Sequence, residues 1–172
     1  ETFDLYQRAL ASTSRVLDLL DTEVGVVEGE TSLEEAEGDI RFDGIQFTYP
    51  GREDVLRGID LDLPSGKTVG LVGATGSGKT TLVRLLLRFH DPLEGSVTMD
   101  GHDVRELRLG SLRGAISLVS QTTTLFPGTV RDNVLYGRPE ASEEEVVEAA
   151  RIAEAIGFID ELPEGWETNI GE

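Results

Sequence analysis

The chain has 172 residues, 33 of them acidic and 15 basic, a formal net charge of −18 and a pI near 4.4; it is long enough for one domain with a sizeable core, or one domain plus an appendage. So acidic a balance argues against a nucleic-acid partner, whose surface needs basic groups to displace counterions. The lack of cysteine excludes a disulfide framework or thiolate metal site, no apolar run reaches the roughly 18 residues of a membrane span, and the N-terminus lacks a signal-peptide layout. Of the bases only Lys67 and Lys79 are lysines. A dense carboxylate shell suits high salt, where screening lowers its self-repulsion.

In chain order, the first expected element is a helix over Thr2–Leu20. Phe3, Tyr6, Leu10, Thr13, Leu17 and Leu20 recur at alternating steps of three and four, a stripe that wants a partner surface. Residues 22–39 are Glu-rich, Gly-spaced and poor in apolar side chains, as a solvated linker would be. Ile40, Phe42, Ile45, Phe47 and Tyr49 then alternate around Asp43-Gly44, which predicts two short strands or one with a bulge, stopped at Pro50-Gly51. Ile59, Leu61 and Leu63 predict another strand, and Lys67–Val72 a third that feeds the next segment.

That segment is Gly73-Ala74-Thr75-Gly76-Ser77-Gly78-Lys79-Thr80, which satisfies G-x-x-x-x-G-K-[ST] at every fixed position. A flexible Gly/Ser loop would match by accident in fewer than roughly one chain in a hundred of this length. Its glycines let successive amide N–H groups point into one concavity, and the helix expected after it, carrying Leu82, Val83, Leu85, Leu86, Leu87 and Phe89, adds its positive end. A polyphosphate fits there, with Lys79 reaching the outer phosphates and the Thr80 hydroxyl ligating a bridging Mg²⁺. Beyond it, Ser96–Met99 reads as a strand, Asp100-Gly101 as a hairpin turn, and Ile116–Val119 as a buried strand ending at Ser120-Gln121. Ser142-Glu143-Glu144-Glu145 is a capping box opening a helix that continues through Ala153 and Ile156 to Gly157, so helices are expected to enter after residue 120. His90 and His102, too far apart in pattern to form a metal pair, are expected at the surface.

The order of these residues resembles the nucleotide-binding domain of exporter-type ATP-binding cassette (ABC) transporters. Phe47-Thr48-Tyr49-Pro50-Gly51 matches the family's aromatic loop, and Gly73–Thr80 its phosphate loop. Ser117–Gln121, followed by Leu125–Val130 and Asn133-Val134, matches its glutamine loop; Leu162-Pro163 with Thr168–Glu172 looks like the exporter-specific segment just before the signature motif. The resemblance covers about residues 40–172. It implies an α/β fold: a P-loop NTPase-type mixed sheet with an N-terminal antiparallel β part and the start of a helical subdomain, preceded by an amphipathic helix. The division it suggests is 1–21 as the cytoplasmic end of the last membrane helix, 22–39 as an acidic linker and 40–172 as the N-terminal part of the cassette.

The same resemblance implies ATP and Mg²⁺ as ligands, Tyr49 as the adenine-stacking ring, Thr75, Gly76, Ser77, Gly78, Lys79, Thr80 and Thr81 around the phosphates, and Thr80 and Gln121 on the metal. It implies a transmembrane domain and a second, head-to-tail nucleotide-binding domain as partners, at the cytoplasmic face of the cell membrane. A Leu-Ser-Gly-Gly-Gln type signature, an apolar strand ending in Asp-Glu and a switch histidine do not occur in these residues. Asp160-Glu161 imitates the Asp-Glu pair, but Gly157 interrupts the apolar run and a capped helix precedes it, so the pair is not expected to be catalytic. The chain is therefore expected to bind ATP without hydrolysing it. The alternatives are a non-catalytic nucleotide-binding module and a soluble ABC-superfamily ATPase of DNA maintenance, which would carry basic surface and long coiled-coil insertions.

Overall fold

A computed structural model describes residues 2–21, 25–51 and 53–171, and the chain forms two units, Glu1–Ser117 and Leu118–Glu172. The first unit begins with helix α1 (Thr2–Leu20), over the span its periodicity predicts. Leu17 and Leu20 are exposed; the side chains of Phe3 and Tyr6 lie outside the described residues. No helix among the described residues is long and apolar enough to cross a membrane.

The core of this unit is a four-stranded antiparallel sheet of β1 (Ile40–Thr48), β2 (Asp54–Leu63), β3 (Glu94–Met99) and β4 (His102–Asp103) in the order β2-β1-β3-β4. β1 lies at its centre, with Phe42 opposite Leu61 on one side and Val97 on the other. Simple alternation would send Phe42 and Ile45 to opposite faces, yet both are buried, as is Phe47. The register shift between Phe42 and Ile45 explains this, because one extra residue re-phases the strand. The partner strand meets that bulge with Gly95, where a side chain would strike the Asp43 carbonyl. Asp100-Gly101 makes the expected hairpin turn, both residues at positive φ.

Helix α2 (Lys79–Leu86) packs Leu82 and Leu85 into the sheet's core beside Leu56, Val97 and Met99. It stops where Arg88 turns to φ 51. Helix α3 (Leu109–Gly114) follows β4, earlier than the first helix expected beyond the phosphate-loop helix, and buries Leu112. Part of the stretch expected as a solvated linker is tied down here. Gly29 and Thr31 donate backbone bonds to Leu107 and Glu106, Arg108 donates one back to Thr31, and Leu33 packs on the core. Arg88, buried behind α2, pairs with Asp91 at 3.0 Å and donates from Nη2 to the Val27 carbonyl at 2.7 Å. Thr22, which opens that stretch, lies outside the described residues.

Two expected strands are not strands. Lys67–Val72 and Ile116–Val119 have no ladder partner among the described residues, and Val69, Leu71, Val72, Leu118 and Val119 are exposed. Apolar β-branched content suits a strand, but only pairing makes one.

In the second unit, β5 (Gly128–Thr129) pairs antiparallel with β6 (Asn169–Ile170), joining the stretch after Gln121 to the one before Glu172. Helices α4 (Val130–Leu135) and α5 (Glu143–Ile152) each open with a reciprocal capping box, Thr129 with Asp132 and Ser142 with Glu145. The helix expected to run from Ser142 to Gly157 is interrupted: α5 ends at Ile152, Glu154 turns to φ 55, and α6 (Ile156–Asp160) begins anew. Val130, Ala150 and Ile159 form the small core, closed by Trp166 and Ile170.

Candidate phosphate-binding site

The loop between Gly73 and Lys79 is built on the first turn of α2. Gly78, its N-cap, sits at φ 91 and ψ 0, a conformation only glycine adopts without strain. A Cβ there would also come within 2.5 Å of Leu56 Cδ2, so the loop lies directly against the sheet's core. The Gly78 carbonyl accepts the first intrahelical bond from Leu82 at 3.0 Å. No side chain caps the helix and no acidic residue occupies its first turn. Its leading N–H groups are therefore left to an incoming acceptor, and the dipole favours an anion.

Lys79 curls back over the loop. Its Nζ donates to the carbonyls of Gly73 at 2.8 Å and Ala74 at 2.9 Å and lies 3.3 Å from Ser77 Oγ. The ammonium thus sits inside the loop that would surround a phosphate. Thr80 is exposed and Thr81 buried. Tyr49, just past the end of β1, lines the same concavity of about 220 Å³ together with Val55 and residues 76–81. Its hydroxyl lies 3.4 Å from Thr81 Oγ1 and accepts from Arg84 Nη1 at 3.3 Å.

Of the residues expected at a nucleotide site, Tyr49, Gly76, Ser77, Gly78, Lys79, Thr80 and Thr81 meet in this concavity, with Thr75 exposed in the turn just before it. Gln121 belongs to the second unit, where it is exposed in a bend. Asn133 orders the segment that follows by accepting from the Phe126 amide at 2.8 Å and donating to the Phe126 and Thr129 carbonyls.

The donor set fits a phosphate-borne magnesium better than a protein-caged one. Among the described residues no group of three or more His, Asp or Glu could hold a metal, whereas an exposed threonine hydroxyl at a phosphate loop is the single hard donor that Mg²⁺ needs when phosphates and water complete its shell.

Sequence reasoning missed two neighbours. His90, expected at the surface, is half-buried between Phe47 and Tyr49, and Arg84 reaches the tyrosine hydroxyl. No local pattern marks either residue, because only the packing of α2 against the sheet brings them to Phe47 and Tyr49. Asp160 ends α6 and Glu161 caps it, both exposed, and neither stands at the end of a strand. A larger concavity of about 650 Å³ between α4 and α5 is lined mainly by aliphatic and charged side chains and has no such loop of amides.

Residues 56–170 match the family described as ABC transporter. Over 169 residues the chain is 48% identical to an ATP-dependent lipid A-core flippase of Shigella sonnei and 47% identical to one of Escherichia coli K12, covering 97% of this chain and 29% of each flippase. A solved structure of a bacterial Atm1-family ABC exporter with ATP bound superposes with a TM-score of 0.85 at 36% identity, over 96% of this chain and 29% of that one. The chain thus spans less than a third of the length of these relatives. It belongs to the ABC transporter family, as part of an exporter-type nucleotide-binding domain.

Proposed function

We propose that this chain is the MgATP-binding portion of an exporter's motor domain, and that alone it holds the nucleotide without turning it over. The observation that carries the binding half is the phosphate loop closed around Lys79 Nζ beside the uncapped start of α2, with Tyr49 lining the same concavity. Tyr49 stacks the adenine. The backbone of residues 75–81 and the Lys79 ammonium take the phosphates, and the Thr80 hydroxyl holds the metal. At Thr80 a Mg²⁺ would supply positive charge that offsets part of the phosphates' negative charge.

In the longer protein residues 1–21 form the cytoplasmic end of the last membrane helix, 22–39 a connection that is tied to the cassette through Gly29, Thr31 and Leu33, and 40–172 part of the cassette. Two cassettes associate head to tail at the cytoplasmic face and couple ATP binding and hydrolysis to export through a transmembrane domain. The chain's own groups bind nucleotide in ground and transition states alike, and uniform binding does not raise kcat. Hydrolysis needs an oriented water, and the exposed Asp160 and Glu161 on a short helix are not built to orient one.

Calorimetric titration with MgATP should show one site. Single-turnover assays with the chain in excess should release phosphate no faster than buffer. Faster release that disappears in Glu161→Gln would make Asp160-Glu161 a working catalytic pair and refute the second half of the proposal.

A further inference from the structure

A stacking ring is useful only if its plane is held, and the backbone at Tyr49 does not hold it: β1 ends one residue earlier and Pro50-Gly51 follows. The surroundings do. Phe47, two residues back on the same face of the strand, stands perpendicular to the Tyr49 ring at 4.8 Å between centroids, with an interplanar angle of 89°. His90 stands perpendicular to it at 5.3 Å and 88°, and also packs on Phe47 at 5.5 Å. The three rings close a triangle whose corners come from two places in the chain. At its far end the tyrosine hydroxyl meets Thr81 and Arg84.

Three of these partners, Thr81, Arg84 and His90, belong to α2 or to the turn leaving it, the same helix whose first residue is Lys79. The ring and the phosphate loop are thus referenced to one short rigid element. Its burial is secured by Leu82 and Leu85. Phe47 is nearly inaccessible and fixed by the core, so the adjustable side of the triangle is the imidazole.

We propose that His90 is a positioning residue for base recognition: it holds the Tyr49 ring at a set orientation and distance from the phosphate loop, with Arg84 fixing the hydroxyl end. This rests on the nucleotide reading above. It goes further by making selectivity for an aromatic base, over polyphosphate alone, depend on a side chain outside the loop motif. What His90 supplies is an aromatic edge and face, so a phenol or phenyl ring should substitute for it and an alanine should not. Perpendicular aromatic pairs contribute enough that losing one should weaken binding of an adenine nucleotide about 3- to 10-fold.

The test compares His90→Ala, His90→Tyr and the unmodified chain in two titrations, one with MgATP and one with inorganic tripolyphosphate. It adds a third readout without ligand, the order of the Tyr49 ring by NMR of the ¹³C-labelled tyrosine. The expected result is weaker MgATP binding in His90→Ala, unchanged tripolyphosphate binding, restoration in His90→Tyr, and a Tyr49 ring loosened in the first variant and ordered in the second. Equal losses for both ligands, failure of His90→Tyr to restore, or a ring equally ordered in all three chains would overturn the proposal. Should the unmodified chain bind neither ligand, the nucleotide reading fails. The ring-order measurement then still decides whether His90 braces Tyr49.

Discussion

Replacing Lys79 with methionine tests the phosphate loop most directly, and the structure sets the size of the effect. The Lys79 ammonium is bonded to Gly73 O and Ala74 O and lies within reach of Ser77 Oγ. A bound polyphosphate must compete with these oxygens, so only part of the ammonium's interaction with it is net gain. Two charge-assisted bonds to phosphate are worth about 1.5–3 kcal/mol each. Because neutral partners are exchanged for them, the lower end applies, about 3 kcal/mol in all, or on the order of 10²-fold in affinity. The methionine keeps the stem's length and helix-forming character, and Lys79 is only partly buried, so helix content should be preserved. Titration calorimetry with MgATP and with tripolyphosphate should show the same loss for both, since the lost contact is to phosphate. An affinity within about threefold of the unmodified chain, with the fold intact by circular dichroism, would mean that the loop does not clasp phosphate through this group.

Gly78→Ala should lower the melting temperature as well as nucleotide affinity, because it combines a left-handed backbone with a Cβ 2.5 Å from the buried Leu56 side chain, strain of about 2–4 kcal/mol; an unchanged melting curve would show that the loop is not seated on the core. The Asp132 carboxyl is held below its ordinary value of 3.8 by hydrogen bonds from Thr129. That of Glu145 lies below 4.5 through the Ser142 amide and then Arg138. Carboxyls lowered in the folded state contribute stability that is fully present above their unfolded values and is lost as pH falls through the folded ones. Helix signal from the second unit should therefore fall as pH drops below about 4, and earlier in Ser142→Ala; a signal flat down to pH 2 would contradict the caps. Raising KCl from low to molar concentration should raise the melting temperature, since 33 acidic side chains face 15 basic ones and Glu34, Glu35, Glu37, Asp39 and Asp100 line one concavity. A falling curve would refute repulsion as the destabilising term.

β1, β3, the later part of β2, α1 and the start of α2 were legible because each is specified locally: alternation for β1 and for Ile59, Leu61 and Leu63, the Asp100-Gly101 turn after β3, a three-and-four stripe for Thr2–Leu20, glycines at fixed offsets before Lys79. The break at Asp43-Gly44 was legible as either a gap between two short strands or a bulge, and the structure has the bulge, which brings Phe42 and Ile45 to one face. What was not legible depends on partners distant in sequence. Lys67–Val72 has the composition of a strand and no ladder to join among the described residues. The stretch around Val27–Thr31 reads as linker from its charge, yet backbone bonds to Glu106–Arg108 hold it down, and no pattern within it announces them. His90 was misjudged for the same reason. A lone histidine after a helix looks like surface until the sheet brings Phe47 and Tyr49 against it.

Seating the loop and burying the core turn out to be one problem solved once. α2 has only eight residues, too short to be stable as an isolated helix, so its direction is set by Leu82 and Leu85 entering the core that Phe42, Leu56 and Val97 form. Leu56 belongs to that core and is also the atom neighbour of Gly78, so the glycine that curves the loop toward phosphate is the residue that lets the helix start approach the sheet. At the other end Arg88 turns the chain out of the helix while its guanidinium holds Asp91 and Val27, and Arg113 donates to the carbonyls of Leu87 and Arg88 at 3.0 Å. Both ends of α2 are therefore fixed by side chains outside the phosphate concavity, Leu56 at one end and Arg88 and Arg113 at the other. A substitution that loosened either end, such as Leu85→Ala in the fully buried position, would move the loop's amides relative to Tyr49 without touching one residue of the motif. Its cost in stability, about 2–5 kcal/mol for a buried leucine, should appear together with a loss of affinity for MgATP and for tripolyphosphate. That joint loss distinguishes the helix's role from that of the Tyr49 ring, whose removal should spare tripolyphosphate.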